Sequence, residues 1–287
     1  MCMKTIGVIA NGGKEKAKAV LGRLRIKAEA LGLSLLPEPE TAALLGMTAV
    51  GTARDILRSA EVVMVMGGDG TMLRAVRALD GRDVPVIGVN LGALGFMTSV
   101  TEDKLEYALD CLVSGKYSAS LRTIIDCHVI RKGETISGYR ALNDVVMTSV
   151  GSRVATLRMT MSGEAVGDFV CDGLIISTPT GSTGHSLSTG GPILMPSART
   201  LVASLICPHT LSTRPLVIPD DVVVEVEVVE RSLGAKLAVD GQVGQELSIG
   251  DRVEIKRSGQ GVRLIHLPGY SYFSVLRQKL HWRGSNV

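Results

Sequence analysis

Val62-Val63-Met64-Val65-Met66-Gly67-Gly68-Asp69-Gly70-Thr71 is the stretch that decides how this chain folds. Its leading apolar residues run without interruption into glycines, the pattern of a strand buried on both faces of a parallel sheet. Behind Thr71, the residues Met72, Leu73, Val76 and Leu79 recur at helical spacing, so the unit reads strand, loop, helix. Glycines let backbone N–H groups approach an oxyanion with no Cβ in the way, and a helix start favours negative charge. An acid is unwelcome in such a cradle unless it has chemistry to do. Asp69 therefore points to phosphoryl transfer, with its carboxylate facing an acceptor hydroxyl. The competing reading makes Asp69 a plain N-cap for a helix beginning near Thr71.

Working outward, the 287 residues suit two domains, each large enough to bury a core. Aromatic residues are only 3% of the chain, so the cores must be aliphatic. The formal charge of +3, without a long Lys/Arg run, does not call for nucleic acid. Cys2, Cys111, Cys127, Cys171 and Cys207 are scattered and contain no C-x-x-C pair, so neither a disulfide framework nor a zinc site is expected. Reduced thiols in a cytoplasmic protein are the expectation. The N-terminal apolar run is too short to span a bilayer, so no membrane association is expected.

Residues 4–10 read as a first strand, followed by a turn at Asn11-Gly12-Gly13 and a helix carrying Ala17, Val20, Leu21, Leu24 and Ala28. Gly12-Gly13-Lys14 is not a Walker A loop, because Val8 and Glu15 stand where that motif needs Gly and Ser or Thr. Residues 37–60 are weakly periodic and take no assignment. A second buried strand over 84–89 leads into the Gly-rich loop Leu91-Gly92-Ala93-Leu94-Gly95-Phe96, and a helix is predicted over 102–113. The dinucleotide fingerprint G-x-G-x-x-G is absent, since Leu73 occupies its third glycine position. Strands and helices thus alternate over 1–115 as in an α/β domain. From 116 to 268 strand-like pieces follow one another, at 121–131, 138–149, 154–161, 173–178, 222–229 and 235–239, which reads as a β-rich second domain. The tail 270–283 is helical again, with Phe273, Leu276 and Leu280 on one face, and is expected to return to the first domain.

Two further stretches carry chemistry. Between Thr178 and Thr189 stand seven hydroxyl side chains in twelve residues, just after a strand. Hydroxyls and freed N–H groups suit a ligand rich in hydrogen-bonding groups, although a flexible Ser/Thr/Gly surface loop would look the same. Ser182 and His185 do not make a nucleophile elbow, because Thr180 replaces its first glycine. Asn143-Asp144 puts an amide and an acid beside an apolar strand; adjacent strand residues face opposite ways, so a working pair must lie at a strand end or bulge.

Together, GGDGT (67–71), LGALGF (91–96), ND (143–144), DGLIISTPTGSTGHSLSTGGPI (172–193), HTLSTRPLVIP (209–219), VDGQ (239–242) and the YSYFSVLRQKLHW tail resemble the NAD kinase family over nearly the whole chain. Diacylglycerol-type lipid kinases and phosphofructokinases share a GGDG loop but lack the TPTGST segment. The resemblance implies a Rossmann-like α/β domain over 1–115, with 269–287 returning to it, and a β-sandwich dinucleotide-binding domain over 116–268. It implies transfer of the γ-phosphoryl group of ATP to the 2′-hydroxyl of the adenosine ribose of NAD, in a homodimer or homotetramer. Asp69 would accept the proton, and Gly67, Gly68, Gly70 and Thr71 would form the phosphate-side loop, with Phe96 a further binding position. Asn143 and Asp144 would hold the adenosine part. Asp172, the run Thr183, Gly184, His185, Ser186, Leu187 and Ser188, and Gln242 would line the rest of the dinucleotide pocket. Magnesium (Mg2+) would arrive with the ATP phosphates rather than in a protein cage. The chain departs from the family pattern at Asp144, usually Glu, and at Gly184-His185, usually Ala-Tyr. A lipid or sugar kinase, or a dinucleotide sensor without turnover, are the rival functions.

Overall fold

The computed structural model describes residues 3–49, 51–92, 94–151, 154–229 and 234–282. Cys2, Ala93 of the Gly-rich loop and Arg283 of the tail lie outside the described residues. The chain divides into two compact units, Met1–Leu121 with Val262–Val287, and Arg122–Gly261.

The first unit is built on a sheet ordered Ser34–Pro37, Thr5–Ala10, Val62–Gly67, Val86–Asn90, Val262–His266, Ser118–Arg122, with Val100–Thr101 also beside Val86–Asn90. Thr5–Ala10, Val62–Gly67 and Val86–Asn90 are neighbours and run parallel. Every residue of Val62–Gly67 is buried, as its unbroken apolar run requires. One face of the sheet is covered by helices Ala17–Ala30 and Leu105–Ser114, through Val20, Leu21, Leu24, Leu105 and Leu109. Helices Ala53–Ser59 and Asp69–Leu79 pack against each other. Gly67 is required by close approach, since a Cβ there would lie 2.4 Å from Thr71 Oγ1.

The unassigned stretch 37–60 holds two short helices, Pro39–Leu45 and Ala53–Ser59. Pro39 opens the first helix, and a reciprocal capping box between Thr52 and Asp55 opens the second. The C-terminal helix spans Tyr272–Lys279 and buries Val275 and Leu276. The expected face of Phe273, Leu276 and Leu280 is corrected: Phe273 is exposed, because the buried stripe is centred one position away.

The second unit is a pair of antiparallel sheets sharing one aliphatic core. The first is ordered Glu164–Cys171, Ala155–Met161, Val224–Val228, Arg252–Arg257, Ile125–Arg131, Glu134–Ala141. The second runs Leu216–Pro219, Thr200–Ile206, Gly173–Ser177, Asp144–Ser149, Ala235–Val239, Val243–Leu247. Leu157, Val226 and Val253 of one sheet join Val145, Leu174 and Leu237 of the other in a single cluster. An α/β part followed by a β-sandwich is thus the observed architecture. Two expected strands are corrected. The run 121–131 breaks into Ser118–Arg122 and Ile125–Arg131, and 138–149 breaks at Leu142-Asn143, where the chain crosses from one sandwich sheet to the other. Cys111, Cys127 and Cys171 are free and buried, and burial raises the Cys127 thiol to about 12.

Candidate active site

Three parallel neighbouring strands deliver their following loops to the same edge of the first sheet, the usual ligand edge of an open α/β sheet. Asp69 is the first residue of helix Asp69–Leu79, whose N-cap is Gly68 and carries no side-chain cap. The carboxylate therefore does not cap its own helix. It reaches the loop after Val86–Asn90, where its two oxygens accept the N–H groups of Phe96 (2.9 Å) and Met97 (3.0 Å). A carboxylate offers about four lone-pair sites, so two stay available to a hydroxyl.

Gly95 makes this docking possible: a Cβ there would stand 2.1 Å from Asp69 Oδ1 and 2.5 Å from Thr98 Oγ1. Gly95→Ala must therefore push the acid aside. Its expected effect is a loss of roughly a hundredfold in kcat, the order found when a reacting group is displaced by about 1 Å. Steady-state kinetics check this, and an unchanged kcat would show that the acid's position is not critical.

Beside the loop lies a cavity of about 460 Å3, lined by Asn11, Lys14, Glu40, Gly68, Gly70, Thr71 and Arg74. Arg74 is held in a two-pronged ion pair with the buried Glu38, at 2.8 and 2.7 Å, and also donates to Ala10 O at 3.1 Å. Sequence reasoning missed Lys14 and Arg74. Lys14 was set aside with the failed Walker spacing, yet its position just after a parallel strand was itself a signal.

In the second unit, Asp144 is the first residue of strand Asp144–Ser149 and Asn143 precedes it, the strand-end placement that lets neighbouring side chains work together. Asp144 is 5% exposed, and among the described residues no cation or N–H group meets its carboxyl group. Burial, and then the charge of Asp240, raise that carboxyl to about 7. The amide oxygen of Asn143 is also buried without a hydrogen-bond partner. Both side chains lie near Gly184, where a Cβ would be 3.8 Å from Asn143 Nδ2 and 4.0 Å from Asp144 Oδ2. The TPTGST segment is braced rather than loose. Thr178 Oγ1 donates to Leu142 O at 2.5 Å and Ser182 Oγ to Pro179 O at 2.7 Å.

The remaining expected positions fall in different places. Thr183, Gly184 and His185 lie on the turn into the short helix His185–Ser188, with His185 exposed. Ser186 is fully buried against Ser204 (3.2 Å), which makes it a support, and Leu187 is partly buried. Ser188 Oγ donates to His185 O at 2.7 Å. Asp172 precedes strand Gly173–Ser177 at the end away from Asn143 and Asp144, about 17 Å along the strand. Gln242 follows the Asp240-Gly241 turn, in which both residues have positive φ (52° and 64°) and join Ala235–Val239 to Val243–Leu247. Asp240 was missed as a site residue. Its carboxylate accepts the consecutive N–H groups of Leu142 (3.0 Å), Asn143 (2.7 Å) and Asp144 (3.2 Å).

A parallel sheet with an acid on a glycine loop at its ligand edge, followed by a sandwich with a buried amide–acid pair, defines a nucleotide-dependent phosphotransferase of two units. Residues 11–117 match the ATP-NAD kinase N-terminal domain, and residues 127–267 match the ATP-NAD kinase C-terminal domain. The chain is 40% identical over 281 residues to the NAD kinase of Geobacter sulfurreducens, covering 98% of this chain and 99% of that one. Its fold is similar to that of yeast NADH kinase complexed with NADH, with a TM-score of 0.90 at 22% identity, over 100% of this chain and 89% of the other. It is also similar to an NAD kinase from Archaeoglobus fulgidus in complex with ATP, with a TM-score of 0.77 at 21% identity, over 98% and 100% of the two chains. The chain belongs to the ATP-NAD kinase family.

Proposed function

We propose that this enzyme transfers the γ-phosphoryl group of ATP to the 2′-hydroxyl of the adenosine ribose of NAD, giving NADP. The observation that carries the reading is the anchored Asp69 carboxylate, fixed by two N–H groups beside a cavity lined by Gly68, Gly70, Thr71, Lys14 and Arg74. A sugar hydroxyl is a poor nucleophile, and phosphoryl transfer depends mostly on positioning and charge neutralisation. Asp69 orients the hydroxyl and takes its proton late in the transfer. Gly67, Gly68, Gly70 and Thr71 form the loop on the phosphate side, and Lys14, which lines the same cavity, adds a positive charge. Asn143 and Asp144 hold the adenosine part, while Thr183, Gly184, His185, Leu187, Ser188, Phe96, Gln242 and Asp172 bind the rest of the dinucleotide, with Ser186 supporting the turn from within.

Magnesium is proposed to enter as the counter-ion of the ATP phosphates, where it neutralises their charge. Among the described residues, no group of three or more His, Cys, Asp or Glu side chains is arranged to hold a metal ion. Assembly as a homodimer or homotetramer is supported by the outer sandwich strand Leu216–Pro219, where Leu216 and Val217 are exposed. Among the described residues no helix is long and apolar enough to cross a membrane, and the free cysteines support a cytoplasmic setting.

Incubation with ATP, Mg2+ and NAD is expected to yield NADP. Formation of ADP without NADP would point to another acceptor, and no turnover with retained NAD binding would indicate a sensor. Asp144→Ala is expected to raise the KM for NAD about tenfold, the loss of one buried polar contact. A change confined to the KM for ATP would remove residues 143–144 from the acceptor site.

A further inference from the structure

Asp240 stands outside the residues assigned above, yet it organises the acceptor site of the second unit. Its carboxylate receives three consecutive N–H groups, those of Leu142, Asn143 and Asp144, at the point where the chain crosses between the sandwich sheets. Three N–H donors stabilise a carboxylate in its charged form. Asp144, beside it, is buried, and among the described residues neither a cation nor an N–H donor meets its carboxyl group. A buried carboxyl group beside a half-buried carboxylate that takes the local N–H donors does not ionise readily as well; Asp144, the buried one, keeps its proton.

The surroundings of Asp144 supply little else that titrates. Strand Gly173–Ser177 pairs with it on one side and contains no titratable side chain. Strand Ala235–Val239 on the other side contributes Lys236, which is exposed and pairs with Thr148 at the far end. The segment 181–188 contributes His185, also exposed. Asp240 is the charge that acts on Asp144.

We propose that Asp240 is a positioning residue that presents Asn143 and keeps Asp144 as a neutral acid, so that Asp144 serves the dinucleotide as a hydrogen-bond donor rather than as a carboxylate acceptor. The inference rests on the reading of residues 143–144 as part of the NAD site. A donor here fits the orphaned Asn143 Oδ1 beside it: the pair then offers donors and acceptors to one ligand edge, an arrangement that suits a ribose oxygen or a purine nitrogen better than two acceptors would. The neutral form predominates below about pH 7 and is lost above it.

The test is the Kd of the full chain for NAD, measured by calorimetry from about pH 6 to about pH 8.5, a range in which NAD itself does not titrate. For the unaltered chain the Kd is expected to rise about thirtyfold across the range, following loss of a proton with a pKa of about 7. In Asp144→Asn, which presents N–H donors at every pH, the rise is expected to vanish. In Asp240→Asn burial still favours the proton on Asp144 but the neighbouring charge that adds to it is gone, so the rise moves to lower pH without vanishing. A merely structural role for Asp240 would weaken binding equally at all pH values and leave the midpoint in place. A pH-independent Kd in the unaltered chain overturns the proposal, as does a rise that survives Asp144→Asn but disappears in His185→Gln. If Asn143→Ala and Asp144→Ala both leave the Kd unchanged, the assignment of the NAD site fails, and this inference with it.

Discussion

Asp69→Asn is expected to lower kcat by roughly a hundred- to ten-thousand-fold, the usual contribution of a positioned general base, with little change in the KM for NAD. The amide keeps the shape of the side chain but cannot take a proton from the acceptor hydroxyl. It can also accept only one of the two N–H groups that now meet the carboxylate, from Phe96 and Met97. That second effect has a cost of about 1 kcal/mol, a lost hydrogen bond, and shows as a small decrease in Tm. The two effects separate in the kinetics: a loosened loop raises KM, whereas a missing base lowers kcat alone. A variant within about threefold of the normal kcat would remove Asp69 from proton transfer, since even the low end of general-base contributions is larger.

The second large effect is expected at Gly181. A Cβ there would lie 2.1 Å from Asn143 O and 2.5 Å from Asn143 C, both backbone atoms. Backbone cannot swing aside as a side-chain tip can. Gly181→Ala must therefore separate the TPTGST segment from the crossover that carries Asn143 and Asp144. Overpacking of this kind costs about 1–3 kcal/mol in stability, and the displaced amide–acid pair should raise the KM for NAD at least about tenfold, one buried polar contact being worth that much. Gly184→Ala provides the contrast. The nearest atom to its Cβ would be Gly181 O at 3.2 Å, against 2.1 Å for the contact at residue 181, so a smaller fall in Tm is expected. If thermal melts rank the two substitutions the other way, the close packing of residue 181 on residue 143 is not what fixes the site.

The first unit was legible where burial is complete. Val62–Gly67 has no exposed residue, so its apolar run announced a parallel strand, and the helix behind it showed its period through Met72, Leu73, Val76 and Leu79. Legibility ended at residues 37–60, because short helices rich in Ala and Thr bury too few large side chains to display a period. Their start signals, Pro39 and the Thr52/Asp55 capping box, were present and could have been used. In the sandwich, Val224–Val228 buries three valines in alternation and was visible, whereas Val243–Leu247 buries only Leu247 and Arg252–Arg257 only Val253 and Ile255, too few apolar residues to show a period. Which sheet Val262–His266 joins could not be read at all, since parallel pairing with Val86–Asn90 leaves no local trace.

The same division holds for the site. Asp69, Asn143 and Asp144 were visible because each is a polar residue set against an apolar strand. Asp240 was not, because Asp-Gly reads as an ordinary hairpin turn and its partners stand 96 to 98 residues away. Arg74 likewise looked like the polar face of a helix until Glu38, 36 residues earlier, was found beside it.

The most direct test is a crystal structure of the chain with NAD and a non-hydrolysable ATP analogue bound. The account predicts a carboxylate oxygen of Asp69 within hydrogen-bond reach, about 2.6–3.2 Å, of the 2′-oxygen of the adenosine ribose, with the γ-phosphate in line beyond it. A ribose hydroxyl met by a different base, with Asp69 turned away from the sugar, would contradict it.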